Sequence, residues 1–349
     1  MVSLVYNNLN KSPVFNLDLT HLSVPNTFGF MSIKQTKNIQ VVPYNPEWPK
    51  LFQFEANAIK EALGRNCIAI HHIGSTSVHG LSAKPIIDII TVVVEPTNTI
   101  KALEPLGIQY RGEYNIPLHY GFSKRTTIDV NLHVYPENHP EIELNLLFRD
   151  YLRSHPTEQE EYVELKKRLL ADQTSFIQNN GQFVNYTLRK GDFIRGILKK
   201  AGFKRIRMLK CSDETEWDAA KYFRQTYFFD KNNTVDPYTW TFNHPEHAHL
   251  ILYEGTEIIG YAHIQFWPQA RAAMRIIVID ETKRNKNFGK TFLVLCENWL
   301  KAKGYTSIHI ESSPSALGFY EKNSYIKMPF ADPEGHEGAA CDIPIGKIL

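Results

Sequence analysis

The chain has 349 residues, with 39 Lys plus Arg against 37 Asp plus Glu and a formal net charge of +2. At roughly 100–200 residues per domain that length predicts two domains. A hydrophobic fraction of 43% excludes wholesale disorder, and the balanced charge argues against a nucleic-acid-coating protein.

Residues 1–38 are polar and Asn-rich without periodicity, and are expected to be a loosely attached extension, or an early start ahead of Met31. From Ile39, IQVVPY predicts a strand. LFQFEANAIKEAL predicts a helix with Leu51, Phe54, Ala58, Ile59 and Leu63 on one stripe and Gly64 as its stop. CIAIHHIGS predicts a strand entering a turn, and AKPIIDIITVVV a strand buried on both faces. TIDVNLHVY alternates, with Val130, Leu132 and Val134 on one side and Asp129, Asn131 and His133 on the other. Thr157 and Glu160 predict a capping box before a helix carrying Tyr162, Leu165 and Leu169. A last helix is expected from about Tyr186 to Lys200, completing an α+β unit over residues 39–203.

KRIRMLK predicts a junction, and residues 204–349 a second, unlike α/β unit. It opens with a helix in DETEWDAAKYFRQTYFF and a hairpin from HAHLILYEG and EIIGYAHIQFW. A strand in MRIIVID then leads to the helix FGKTFLVLCENWLKAKG, with Phe292, Leu293, Cys296, Trp299 and Leu300 inward. SIHIESS predicts the next strand, and ALGFYEKNSY a short helix. Cys67, Cys211, Cys296 and Cys341 form no Cys-x-x-Cys pair, which predicts reduced thiols. No run approaches the roughly 18 apolar residues of a membrane span, and no secretory leader is visible. A cytoplasmic location without a membrane partner is expected.

The segment from Met274 to Leu300 is chemically the most informative. A strand ends, the polar loop Arg284-Asn285-Lys286-Asn287-Phe288-Gly289-Lys290 follows, and an amphipathic helix begins. Backbone N–H groups at such a helix start favour a pyrophosphate, with Arg284 and Lys286 adding positive charge. Gly289 allows close approach. These residues resemble the acetyl-CoA loop of the GNAT acetyltransferases, Arg/Gln-x-x-Gly-x-Gly/Ala, and Ala316 to Met328 resembles that family's Phe-Tyr-x-x-x-Gly-Phe region. The resemblance covers about Lys210 to the C-terminus and implies the GNAT fold, acetyl-CoA as cofactor and an amine acceptor. It departs from the pattern at Asn287 and Ser324, where the family has glycine; Asn tolerates left-handed backbone angles.

An amine must lose its proton to react, the thioester oxygen needs a hydrogen-bond donor, and the departing thiolate needs a proton. The resemblance implies cofactor contacts along Ile277, Val278 and Ile279, with the donor near Val278 to Asp280, and Tyr320 as the acid. Asp280, Glu281 and Glu311 are the candidate bases. His244, His247 and His249 form a cluster that suits an acceptor rim with Trp240, Tyr253 and Trp267, hairpin packing, or a metal.

Upstream, His71 to Val94 sets a Gly74-Ser75-Thr76 turn ahead of a strand carrying Asp88. This places a phosphate-binding turn beside a carboxylate, an arrangement for a nucleotide such as ATP with Mg2+. The stretch, with NLHV, LFRDYLRSHP, EYVELKKRLL and YTLRKGDFI, is similar to the GrpB-like branch of the nucleotidyltransferase fold, which implies a mixed sheet with a helical cluster. Lys84, Arg149, Arg153, Lys167 and Lys190 are the phosphate-binding candidates on these motifs, and Arg149 and Arg153 at i, i+4 suit one anion clamp. Asp88 is followed by Ile89 and Ile90, so the paired acid of metal-assisted transfer is missing; Asp129 is the remaining candidate metal ligand.

The leading expectation is an N-acetyltransferase acting on a small-molecule or peptide amine, fused to a nucleotide- or phosphate-binding domain. The alternatives are nucleotidyl transfer by the N-terminal half, and a ligand-binding regulatory protein without turnover.

Overall fold

The computed structural model describes residues 40–179, 183–230, 233–335 and 340–349. The expected extension over residues 1–38 lies outside them.

Helix α1 (Trp48–Leu63) starts with Pro49 in its first turn and stops at Gly64, whose φ of 51° needs no Cβ. Its buried face carries Trp48, Ala56, Ile59 and Leu63, whereas Phe54, expected inward, is 65% exposed. Glu55 takes an inward place and is neutralised by Lys124 at 2.8 Å. The strand expected at IQVVPY is reduced to one bridge, Val42 to Ala83.

Strands β1 (Cys67–Ile73) and β2 (Ile86–Val93), short helix α2 (Thr99–Leu103) and strands β3 (Gln109–Gly112), β4 (Tyr120–Arg125) and β5 (Asp129–Pro136) form a mixed sheet ordered β1-β2-β5-β4-β3. Only β2 and β5 run parallel. The alternation of β5 holds: Val130, Leu132 and Val134 are fully buried.

Helices α3 (Pro140–Ser154) and α4 (Pro156–Ala171) follow, then a two-stranded ribbon, β6 (Gln178–Asn179) with β7 (Phe183–Val184). The single helix expected to Lys200 is two, α5 (Asn185–Leu188) and α6 (Gly191–Lys200). Thr157 lies inside α4, whose N-cap His155 makes no side-chain bond, so the expected capping box is absent. A capping box forms instead between Asp213 and Glu216 at the head of α7 (Glu214–Arg224).

The expected junction KRIRMLK is itself a strand, β8 (Ile206–Lys210), at the edge of a seven-stranded sheet. That sheet continues with β9 (His247–Glu254), β10 (Glu257–Trp267), β11 (Arg271–Ile279), β12 (Ser307–Ser312), β13 (Ile326–Lys327) and β14 (Ile343–Ile348), in the order β13-β14-β12-β11-β10-β9-β8. Helix α8 (Phe288–Ala302) connects β11 to β12, and α9 (Leu317–Glu321) follows β12. The apolar stripe of α8, Phe292, Leu293, Cys296, Trp299 and Leu300, is at most 1% exposed and anchors the larger core. Ile116 and Leu118, from the loop between β3 and β4, also pack on it.

Candidate functional site

The parallel strands β11 and β12 pair only from Arg271–Ser307 to Ala273–His309. Beyond that point they part, although β11 runs on to Ile279 and β12 to Ser312. On its other edge β11 stays paired with β10, and Asp280 N–H is taken by Ile259 C=O at 2.9 Å. By the alternation of an antiparallel ladder Val278 also faces β10, so the N–H groups of Ile277 and Ile279 face the gap. Of the residues from Val278 to Asp280, Ile279 therefore turns its N–H into the gap, and Ile277 does the same.

The gap opens into a cleft of about 650 Å3 lined by Ile277, Val278, Ile279, the loop from Lys283 and the start of α8. Arg284, Asn285, Asn287, Phe288, Gly289 and Lys290 line it, whereas Lys286 does not. Asn285 and Asn287 have φ of 65° and 62°, the left-handed region in which Asn is tolerated. Asn287 is the N-cap but makes no side-chain cap bond. The first i→i−4 donor is Thr291, to Asn287 C=O at 3.0 Å, so the N–H groups of Phe288, Gly289 and Lys290 precede the helical ladder. An uncapped helix start beside Arg284 and Lys290 fits the pyrophosphate of CoA. Arg284 braces the loop, donating Nε to Ile279 C=O at 3.1 Å and lying 5.3 Å from the Tyr227 ring centre.

Tyr320 lines this cleft, is 1% exposed, and burial pushes its phenol well above the usual range, so it keeps its proton. The expected carboxylate bases stand elsewhere. Asp280 caps the following turn through Thr282, whose hydrogen bonds hold its carboxyl below the usual range. Glu281 points to solvent and pairs with Arg284 at 3.6 Å. Glu311 is in register with Pro344 on β14, and none of the three lines the cleft.

Helix α7 ends in a π-turn, Gln225–Phe229, which sequence periodicity does not reveal. It brings Tyr227 and Phe228 to the cleft, and Phe228 with Phe229 to a second, smaller pocket of about 50 Å3. His247, His263, Arg224 and Trp240 line this pocket. His247 Nδ1 and His263 Nε2 are 2.8 Å apart, and the His249 and His263 rings stack at 4.5 Å. Burial, aided by His244, Arg275 and Arg224, lowers His247 to about 4; burial and Arg224 lower His249 to about 3. Among the described residues no group of three His, Cys, Asp or Glu side chains gathers to hold a metal. Of the residues expected at an acceptor rim, Trp240 and His247 line this pocket, whereas Tyr253 packs under Arg207 and Trp267 against Phe330.

In the N-terminal half, Ser75, Thr76, Lys84, Asp88 and Lys190 line a pocket of about 240 Å3. Gly74 has φ of 68°, and a Cβ there collides with the Asp88 carboxylate, so turn and acid require glycine. Sequence reasoning missed Lys166, Asn131 and Tyr186, which also line it. Lys166 is 3% exposed, donating to Ser75 Oγ at 3.3 Å and to Ser82 C=O; Lys167, expected there, points to solvent and pairs with Glu164. Lys84 and Lys190 lie over the Tyr186 ring at 4.4 and 5.0 Å. Burial first, then a neighbouring ammonium, lowers Lys166 to about 7 and Lys190 to about 8.

Two further expectations fail here. Arg149 donates to His72 C=O at 3.0 Å and Arg153 to Ser77 C=O at 2.8 Å, both also meeting Asp150. They tie α3 to the end of β1 and to the turn that follows it. Asp129 is in register with Ile86, and the residue beside Asp88 is Asn131, whose Nδ2 donates to Asp88 at 2.8 Å. The expected Asp88–Asp129 metal pair does not assemble.

The sheets and clefts define a two-part α/β chain with an acyl-transfer fold at its C-terminal end. Residues 198–325 match the family model for the Acetyltransferase (GNAT) family, and residues 38–200 the model described as GrpB protein. A UPF0157 protein of Halalkalibacterium halodurans is 35% identical over 167 residues, spanning 47% of this chain and 83% of the relative. The UPF0157 protein YqkA of Bacillus subtilis is 36% identical over 159 residues, 42% of this chain and 46% of its own length. The crystal structure of GrpB from Enterococcus faecalis is 35% identical, with a TM-score of 0.41, covering 46% of this chain and 96% of that one. The chain belongs to the GrpB family and carries a GNAT acetyltransferase domain behind its GrpB domain. No helix among the described residues is long and apolar enough to cross a membrane.

Proposed function

We propose that the C-terminal domain transfers an acetyl group from acetyl-CoA to a primary amine by direct attack. The observation that carries this reading is the parting of β11 and β12 against the uncapped start of α8. Acetyl-CoA bound there supplies the activated acyl group. Phe288, Gly289 and Lys290 offer N–H groups to the pyrophosphate, Ile277 and Ile279 offer theirs along the gap, and Tyr320 holds a proton for the leaving sulfur. With Asp280, Glu281 and Glu311 outside the cleft, water takes the amine proton. Calorimetry with CoA, and thiol release from acetyl-CoA over an amine panel, test the reading. Absence of both binding and turnover overturns it.

The N-terminal pocket favours a second, separate activity: binding of a phosphate-bearing ligand. Three lysines face one carboxylate there, and none of the three forms an ion pair among the described residues. With Asp88 as the one acid, the geometry favours anion binding over metal-assisted nucleotidyl transfer. Calorimetry with pyrophosphate in EDTA is expected to show binding. Transfer of label from α-labelled ATP, lost in Asp88→Ala, would instead favour the transferase.

A further inference from the structure

We infer that the small pocket beside the acyl-donor cleft recognises a neutral carbonyl adjacent to the acceptor amine, held by the Nε2–H of His247. The amine rests on the acetyl-transfer reading; the carbonyl contact does not.

Arg224 is 1% exposed and bound through two nitrogens to Asp236. A guanidinium can only donate. Its Nη1 lies 3.2 Å from His263 Nδ1, so that nitrogen presents a lone pair. A neutral imidazole with a lone pair on Nδ1 carries its hydrogen on Nε2, and His263 Nε2 is 2.8 Å from His247 Nδ1. His247 therefore accepts at Nδ1 and carries its own hydrogen on Nε2.

The other branch from Arg224 runs consistently. Nη1 also reaches Tyr261 Oη at 3.3 Å, the hydroxyl donates to His249 Nδ1 at 2.6 Å, and His249 Nε2–H donates to Thr241 C=O at 3.1 Å. That branch ends on a carbonyl. The first ends on His247 Nε2, a buried atom with no hydrogen-bond partner among the described residues, in a side chain that lines the pocket. A buried donor without a partner is destabilising, and an arriving oxygen removes that cost.

The charge balance selects the kind of oxygen. Arg224 is matched by Asp236, and Arg275, the other guanidinium of the pocket, by Asp332. With both matched and Glu334 also on the wall, the pocket offers a neutral donor and no spare cation for a carboxylate. An amide or ester carbonyl fits, as in an amino acid amide or a peptide N-terminus. Phe228 lines both cavities, and Ile276 and Ile277 are consecutive on β11, so the carbonyl sits one side chain from the acyl-donor cleft. The same tautomer removes His247 as a base, since Nε2 carries the hydrogen and Nδ1 already accepts from His263.

Two measurements test the inference. In histidine-labelled protein, nitrogen NMR is expected to show the Nε2–H tautomer at His247 and His263; an Nδ1–H tautomer at His247 overturns it. Turnover with glycinamide and with ethylamine is then compared in wild type, His247→Phe and His247→Gln. The wild-type preference for glycinamide in kcat/KM is expected to shrink at least tenfold in His247→Phe, with CoA affinity kept, and to survive in part in His247→Gln. Taking the ratio between variants cancels the amines' own basicity. A preference unchanged in His247→Phe refutes the contact. Should neither amine turn over and CoA not bind, the acetyl-transfer reading fails alone. A shift of the His247 Nε2 signal by glycinamide and not by ethylamine still supports the carbonyl site, and no shift overturns it.

Discussion

Replacing Gly289 by alanine should stabilise the fold while leaving CoA binding in place. Gly289 is the second residue of α8, in helical conformation, and an added methyl would lie 3.6 Å from the Phe319 ring and 3.9 Å from Ile279. Those are ordinary van der Waals separations, so the protein itself tolerates the methyl. Glycine in a helix interior costs roughly 0.5–1 kcal/mol relative to alanine. In the first turn the gain is smaller, and a rise in Tm of about 1–3 °C is expected. CoA should be kept, because the loop pattern this segment resembles admits Ala at this position. A change in affinity of no more than about threefold, roughly 0.7 kcal/mol, is expected. Thermal unfolding with and without CoA, together with calorimetry, reads both effects. A tenfold loss of CoA affinity would refute the alignment of Gly289 with the last position of the loop pattern, and a lowered Tm without ligand would refute the packing.

Three other outcomes follow from the same geometry. Tyr320→Phe should lower kcat about 100-fold while leaving CoA affinity intact, measured by thiol release and calorimetry; equal losses in both would make Tyr320 a packing residue. Lys166 has its folded pKa lowered to about 7, so between pH 7 and about 10 the unfolded chain binds more protons than the folded one. Stability should therefore rise with pH across that window, and rise less in Lys166→Met, as read from urea midpoints; parallel slopes would contradict the burial of this ammonium. Ser324, with φ of 69°, should gain up to about 1 kcal/mol as glycine, measured by chemical denaturation.

Much of both sites was legible because their motifs are local. The Gly74-Ser75-Thr76 turn and Asp88 lie within fifteen residues, and the loop from Arg284 to Lys290 is continuous. What periodicity missed has specific causes. Lys166 is the residue four after Tyr162 and three before Leu169, squarely on the buried stripe of α4, while Lys167 is rotated about 100° toward solvent. A lysine on an apolar stripe was the available signal. The pairing of His263 with His249 required the β9–β10 register, and Arg224 reaches them from the last turn of α7. Phe54 and the Thr157 capping box failed for the converse reason. Local pattern suggested them, but α1 turns Trp48 and Glu55 inward, and α4 begins at Pro156, one residue before Thr157.

The residues argued to carry function share one physical property: each violates a local rule that the fold alone gives no reason to break. Asn287 leaves a helix start uncapped, Lys166 places an ammonium on an apolar face, and His247 ends a hydrogen-bond chain on an unpaired donor. Each is a local cost of about 1–3 kcal/mol that packing does not offset. An anion at α8, an anion at Lys166 and an oxygen at His247 would each remove one such cost. Ligand binding should accordingly stabilise the chain at all three places. The first two require opposite charge, while the third requires none, so raised salt should weaken CoA and pyrophosphate and leave glycinamide binding unmoved.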